Sequence, residues 1–519
     1  MTNSSNSQEI RGQSAKKGGA LRLHRAGHDP RAAALTVLAQ VLGGRADSQA
    51  SLDEALRSPL LTPTDKRLCT ELVYGVLRRY IALEDFANGF LSKPDKLPAE
   101  MRLALLQALY EMACLRIPHH ASVGWTVTHI RNRFGQGLSR VANGALRSMQ
   151  RSLDEFGNPR RALRDASAPE DVLARFFAVP VWIVELWLRH YGLEATHALL
   201  EAAQGPAPSG LRLNRACPDW EQTKADLIAL YEPEQVKESA NLRAAGTGIA
   251  DNPARARHGD FAPGDATAIE KGDLGAILLK PPAASEEKLF LAGACGLAFP
   301  GPLPWQTRAL LQEGKASRQS AASYEVLEAF KPASWLLPVW DCCAGRGGKT
   351  LALLEQGIAV ELASDPSEHR LKALSEEYAR LKLAAPPCPE VLPLSVEEAA
   401  GRLAGEPCPR TFGTIVIDAP CSGLGTLSRR PEIRFRRAPG DLDKLADTQR
   451  RILDLAWEHL APGGSIVYLT CTLNPAENEG QVANFLEQHE NAELSQEFQT
   501  DFSSPLREFF YGAQIKKRP

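Results

Sequence analysis

Leu336-Leu337-Pro338-Val339-Trp340-Asp341 runs directly into Cys342-Cys343-Ala344-Gly345-Arg346-Gly347-Gly348-Lys349-Thr350. A short apolar run that ends on an acid and turns through glycines into an apolar-periodic segment reads as a buried strand feeding a helix. Gly345, Gly347 and Gly348 permit positive φ and let backbone N–H groups come close to a ligand. The loop is not a P-loop, because that spacing requires Gly at 343, where Cys343 stands. Strand–helix alternation continues outward from it. The pattern predicts strands at 336–341, 358–365, 390–394, 413–418 and 465–470, and helices at 349–356, 367–382 and 444–460. Together these predict a doubly wound α/β domain with a mainly parallel sheet over 336–519.

Such sheets bind ligands outside the carboxyl ends of their strands. Asp341, Asp365, Asp418 and Cys471 all fall at predicted carboxyl ends. Asp365 lies 24 residues after Asp341, where an acid commonly accepts hydrogen bonds from ribose hydroxyls. With the glycine loop it points to an adenosine-containing cofactor; the competing reading is a tight turn plus a helix-capping Asp.

Two thiols follow apolar runs, in Asp418-Ala419-Pro420-Cys421-Ser422-Gly423-Leu424-Gly425-Thr426 and in Tyr468-Leu469-Thr470-Cys471-Thr472. A buried strand-end cysteine is usually a small hydrophobe. Here each stands among turn residues at the ligand-binding edge, and Pro420 with Ser422-Gly423 exposes the Cys421 thiol on a sharp turn. Pyrimidine chemistry gives thiols a use. Carbon 5 of cytosine is a poor nucleophile until a thiolate adds at carbon 6; it then takes a methyl group from a sulfonium donor. The charge arising on the ring is relieved by protonation at the ring nitrogen, and a carboxylic acid such as Asp418 can donate. Downstream, Arg429, Arg430, Arg434, Arg436 and Arg437 place five arginines and one acid within nine residues. The run is expected to contact RNA phosphates, with a solvated loop as the bland alternative.

The 519 residues suffice for roughly two to four domains. Net charge is −2, so nucleic-acid contact must come from local patches. Ten cysteines without a Cys-x-x-Cys pair exclude zinc-site spacing, and free thiols in a reducing cytosol are expected. No run of about 18 apolar residues occurs, so no membrane span is expected. Residues 1–29 are rich in Ser, Gly, Lys and Arg without an apolar h-region, as in a disordered basic tail. Residues 30–155 read as helical, with Leu68, Leu72, Val73, Val76 and Leu77 on one face and a helix start at Thr64-Asp65. Residues 156–335 read as a helical linker, with Trp182, Trp187 and Tyr191 as core, then a small α+β region. Leu211-Arg212-Leu213-Asn214 looks like a strand entry there, and Ala276-Ile277-Leu278-Leu279 is a short apolar run.

The 418–425 run, Thr470-Cys471-Thr472 and the following Asn474-Pro475-Ala476-Glu477-Asn478-Glu479 resemble the RNA cytosine-5 methyltransferases. Residues 30–151 resemble the NusB-like helical domain that precedes the catalytic domain in the Sun/Fmu (RsmB) subgroup. Glu71-Leu72-Val73-Tyr74-Gly75-Val76-Leu77-Arg78-Arg79 and Val141-Ala142-Asn143-Gly144-Ala145-Leu146-Arg147 carry that match. The resemblance spans most of 30–480 and is weakest around 216–315. It implies an all-α NusB-like RNA-binding domain over 30–155 and a Rossmann-like methyltransferase domain. It also implies S-adenosylmethionine as cofactor and one cytidine of small-subunit ribosomal RNA as substrate, reached in an unstacked nucleotide. By the resemblance Cys471 would be the nucleophile and Cys421 would assist release of the methylated base. Cys343, Ala344, Gly345, Arg346, Gly347, Gly348, Lys349, Asp365 and Asp418 would bind the cofactor or the base. The partner implied is ribosomal RNA, with no membrane, no metal, a cytoplasmic location and a monomeric state.

Four positions depart from the family pattern. The loop usually reads Cys-Ala-Ala-Pro-Gly-Gly-Lys, whereas Gly345 and Arg346 stand here. The third strand lacks an Asp for the adenine amino group, since 393–396 reads Pro-Leu-Ser-Val. A usual Gln-Asp pair is Gln319-Ser320, and a usual Gly-Phe-Phe is Glu508-Phe509-Phe510. The altered loop keeps open a non-catalytic ribosomal-RNA binding or assembly factor. A DNA cytosine methyltransferase, in which the Pro-Cys thiol attacks, is argued against by Thr470-Cys471-Thr472.

Overall fold

A computed structural model of the protein describes residues 28–165, 168–238, 274, 278, 288–383, 386–407 and 410–519. Residues 1–27 of the expected basic tail and most of the 276–279 run lie outside the described residues, while Asp29, placed in that tail, caps the first helix. The chain divides into two compact units. The first holds the described residues up to Arg189, Leu274, Leu278 and Arg430–Ala438; the second holds the remainder.

The first unit is helical: α1 (Pro30–Leu42), α2 (Ser48–Leu56), α3 (Pro63–Asn88), α4 (Ala99–Cys114), α5 (His119–Phe134), α6 (Gln136–Arg151), α7 (Pro159–Asp165) and α8 (Pro169–Phe177). Its core gathers Leu38, Leu72, Val76, Leu105, Ile130 and Leu146. α3 begins earlier than the expected Thr64-Asp65. Thr62 is the cap, Pro63 is the first helical residue, and Asp65 in turn accepts from the Thr62 N–H at 3.0 Å, a reciprocal capping box. Gly75 lets α3 approach α4, since a Cβ there would fall 2.0 Å from the Tyr110 ring. The segment 430–438 packs within this unit. Ser48 donates to Glu432 at 2.9 Å, and the Phe435 ring meets Tyr80 edge-on at 5.1 Å.

A helix interrupted at Gly192, α9 (Val181–Ala202), precedes two sheets. The smaller sheet has order β2-β3-β4-β1-β5, from β1 (Ser209–Leu213), β2 (Val236–Glu238), β3 (Leu289–Ala292), β4 (Gly296–Phe299) and β5 (Ala316–Arg318). Along it run α10 (Trp220–Ile228), α11 (Thr307–Glu313) and α12 (Ala321–Ala329).

The larger sheet uses β6 (Val339–Asp341), β7 (Val360–Ser364), β8 (Glu390–Leu392), β9 (Phe412–Asp418), β10 (Leu460–Thr470), β11 (Ala492–Gln499) and β12 (Tyr511–Lys517). Its order is β11-β12-β10-β9-β6-β7-β8. The strands from β10 to β8 are parallel, and β12 runs antiparallel to both β10 and β11. The connecting helices are α13 (Gly348–Glu355), α14 (Glu368–Leu381), α15 (Val396–Ala404), α16 (Pro439–Glu458) and α17 (Glu479–Gln488). Side chains alternate between two cores. Val339, Val416, Val467 and Leu469 pack with the small sheet and α13, while Trp340, Ile415, Ile417, Ile466 and Tyr468 fill the opposite core. Burial on both faces is why these strands read as unbroken apolar runs. No helix among the described residues is long and apolar enough to cross a membrane.

Candidate active site

The strand order reverses between β6 and β9, with β7 and β8 on one side and β10 on the other. Loops leaving adjacent strands in opposite directions open a crevice at such a switch point. The glycine loop leaves β6, and the Cys421 turn leaves β9.

The loop is tied down by its backbone. Cys342 N–H donates to Val416 O at 3.1 Å, and Ala344 N–H to Ser364 O at 3.0 Å. Gly345 and Gly347 adopt φ of 55° and 81°, the left-handed region that disfavours other residues. Asp365, 5% exposed, accepts the Gly345 N–H at 3.1 Å and the Ser367 N–H at 2.8 Å. A carboxylate offers about four acceptor sites, so capacity for ribose hydroxyls remains. Asp341 accepts from Thr350 Oγ1 at 2.6 Å through one oxygen, and its other oxygen is buried without a partner. Burial, reinforced by the Asp418 charge, pushes the Asp341 carboxyl up to about 6. Two left-handed glycines, an acceptor with spare capacity and an orphaned carboxylate oxygen fit an adenosine-containing cofactor. At the end of β8, Ser395 caps α15 in a reciprocal pair with Glu398, so that position serves a helix start.

α13 is braced from the small sheet. Arg212, fully buried on β1, donates to Glu355 at 2.7 and 2.8 Å, to Gly348 O at 2.9 Å and to Gln319. Nothing but a charged residue inside the apolar Leu211–Leu213 alternation marked Arg212 in the sequence.

Across the crevice, Lys349 Nζ lies 2.5 Å from Asp418 Oδ2 and 5.9 Å from the Phe510 ring centroid. The Cys421 and Cys471 sulfurs are 3.4 Å apart, and both residues are partly exposed. The hydrogen bond with Cys471, then burial, then the Cys471 and Glu477 charges all push the Cys421 thiol well up. Gly425 permits the closure of this corner. Its N–H bonds Cys471 O at 3.1 Å, its carbonyl accepts Phe509 N–H at 2.9 Å, and a Cβ would fall 2.1 Å from Phe509 O.

The five arginines of the run differ in exposure and in partners. Arg429 is engaged by Glu508 at 2.8 and 2.6 Å. Arg434 is buried and donates to the Arg78 carbonyl, and burial with Arg78 and Arg79 nearby lowers its guanidinium to about 9. Arg436 donates to the Ala46 carbonyl. Arg437 is partly buried, and Arg430 is exposed.

Residues 330–508 match the family model for 16S rRNA methyltransferase RsmB/F, and residues 28–151 match the NusB family. Ribosomal RNA small subunit methyltransferase B of Vibrio cholerae is 31% identical, covering 89% of this chain and 90% of that protein. The Vibrio vulnificus protein of the same name is also 31% identical, over 89% and 92%. The probable Bacillus subtilis counterpart is 28% identical, over 94% of each chain. The crystal structure of PH0851 shares the fold, with a TM-score of 0.65 and 19% identity over 94% of this chain and 99% of that one. The two matched domains and relatives aligned over most of their length lead to one conclusion: the chain belongs to the RsmB/F family of S-adenosylmethionine-dependent small-subunit ribosomal RNA methyltransferases.

Proposed function

We propose that the protein methylates carbon 5 of a cytidine in ribosomal RNA through a covalent adduct on Cys471. The observation that carries this reading is the 3.4 Å approach of two partly exposed thiols at the crevice that also holds the glycine loop and the Lys349–Asp418 pair. S-adenosylmethionine supplies an electrophilic methyl group when bound. The Cys471 thiolate adds to carbon 6 and makes carbon 5 nucleophilic. Cys421, held in its thiol form, hydrogen-bonds that thiolate before attack. As charge develops on the ring nitrogen, the Lys349 ammonium gives a proton across its 2.5 Å contact to Asp418, which passes it on to that nitrogen and leaves Lys349 as the neutral amine. After transfer Cys421, once its own proton has passed to solvent, takes the carbon 5 proton as a thiolate; the electron pair of that C–H bond restores the ring double bond and the bond to Cys471 breaks, returning the Cys471 thiolate. Asp365 and the 343–349 loop hold the cofactor. Arg430 is the member of the arginine run best exposed to meet phosphate.

The test is transfer of a labelled methyl group from S-adenosylmethionine to unmodified small-subunit ribosomal RNA, with adduct trapping in single-cysteine variants. Cys471→Ala is expected to abolish both transfer and adduct, and Cys421→Ala to accumulate a stalled adduct. An adduct that persists in Cys471→Ala and vanishes in Cys421→Ala would reverse the two roles. Absence of transfer by wild type that still binds RNA would favour a non-catalytic ribosomal-RNA binding factor.

A further inference from the structure

The Asn474-Pro475-Ala476-Glu477-Asn478-Glu479 run takes no part in the chemistry above, yet Glu477 is wholly buried beside both thiol turns. Its Oε2 accepts from Ser422 N–H at 2.8 Å and from Gln449 Nε2 at 2.9 Å. Its Oε1 accepts from Asn474 Nδ2 at 3.0 Å, and its carbonyl accepts from the Tyr468 hydroxyl at 2.7 Å. Gln449, on α16 and equally buried, also donates to Pro420 O at 2.9 Å. Pro420 and Ser422, the two neighbours of Cys421, are therefore both gripped from this point.

The neighbours of Cys471 are held by the next residue. Thr470 Oγ1 donates to Asn478 Oδ1 at 2.6 Å, and Asn478 Nδ2 donates to Thr472 O at 3.1 Å. The Ser422 and Thr472 hydroxyls hydrogen-bond to one another and close the ring. A buried carboxylate is tolerated only when its oxygens are well supplied with donors, and three donors converge here from three different elements. Strand pairing alone would leave each turn free beyond its last ladder bond.

We propose that Glu477 is a positioning residue which, through Gln449 and Ser422, holds the Cys421 turn against the Cys471 turn so that the two sulfurs stay in contact. Its consequence for methylation rests on the covalent reading above; the geometry itself can be tested without it. Glu477→Gln keeps the volume and an acceptor oxygen for Ser422 and Gln449. Glu477→Ala removes the anchor, and Gln449→Met removes one arm at nearly constant volume.

The experiment treats the full-length protein with diamide, which accepts the two thiol hydrogens and becomes a hydrazine as a sulfur–sulfur bond forms. The Cys421–Cys471 linkage is quantified by peptide mass spectrometry, and S-adenosylmethionine binding is measured in parallel. Wild type and Glu477→Gln are expected to cross-link at rates within about threefold of each other. Glu477→Ala and Gln449→Met are expected to slow by about tenfold or more, as loss of a buried hydrogen bond implies, with cofactor affinity retained. A general structural lesion would lower cofactor binding along with cross-linking. Cross-linking of Glu477→Ala at the wild-type rate overturns the proposal, as does a wild type that forms no linkage. Should Glu477→Ala not fold, Gln449→Met decides by the same criterion. Normal cross-linking without methyl transfer in wild type would sink the covalent reading and leave the positioning role standing.

Discussion

Ser320 Oγ donates to Glu508 Oε2 at 2.7 Å, joining two positions at which this chain departs from the pattern of its family. Where an Asp is usual at 320, a Ser stands; where a Gly is usual at 508, a Glu stands. Arg429 takes the Glu508 carboxylate through two nitrogens, and Glu508 is 4% exposed. The two departures are joined in one hydrogen-bonded arrangement.

Glu508→Ala should therefore leave Arg429 and Ser320 short of an acceptor, at a cost of about 1–3 kcal/mol. Adding Ser320→Asp should recover a substantial part of it. Denaturant unfolding of the two single variants and the double variant gives the coupling; additive losses would show that the positions are independent.

Gly347→Ala should weaken S-adenosylmethionine binding by about tenfold or more, since left-handed backbone costs an L-residue roughly 1–2 kcal/mol. The added Cβ would also fall 2.5 Å from Leu374 Cγ. Calorimetric titration measures it. Leu374→Ala in the same chain should relieve the steric part only; full recovery would mean that backbone conformation is not the constraint.

Arg212→Met should destabilise by about 3–5 kcal/mol, because it strands Glu355 as a buried charge. The double variant Arg212→Met with Glu355→Met should be milder than that single one. If the double is worse, the pair contributes more than its mutual neutralisation.

Asp341 predicts a pH dependence. Burial raises its folded-state carboxyl to about 6, above the ordinary value of 3.8. Between these values the folded state binds more protons than the unfolded one, so stability falls as pH rises from about 4 through 6. The full cost, on the order of 3 kcal/mol, is present above pH 6. Asp341→Asn lacks this loss. Its stability relative to wild type should climb across that window in unfolding curves taken at successive pH values; a constant offset would refute the buried charge.

The central strands β9 and β10 were legible because both faces are buried, which writes unbroken apolar runs such as Ile415–Ile417 and Ile466–Leu469 into them. The glycine loop and the two thiols were legible because turn chemistry is local. The individual partners of the arginine run were not legible because a charge count carries no destination: Arg434 ends on a carbonyl 356 positions away. Glu477 was quoted as part of a motif without a role, since its partner Ser422 lies 55 residues upstream. Of the small sheet only β1 was legible, at Leu211–Leu213; strands such as β2 and β5 span three residues each, too few to show alternation.

The nine residues 430–438, which follow soon after the Cys421 turn, belong to the helical unit. Ser48, Arg78 and Ala46 receive them from between 356 and 390 positions away. The two domains are thus not portable modules that recombination could shuffle. A foreign helical domain would arrive without a receptacle for this stretch, and an excised catalytic fragment would carry Ile433 and Phe435 with nowhere to go.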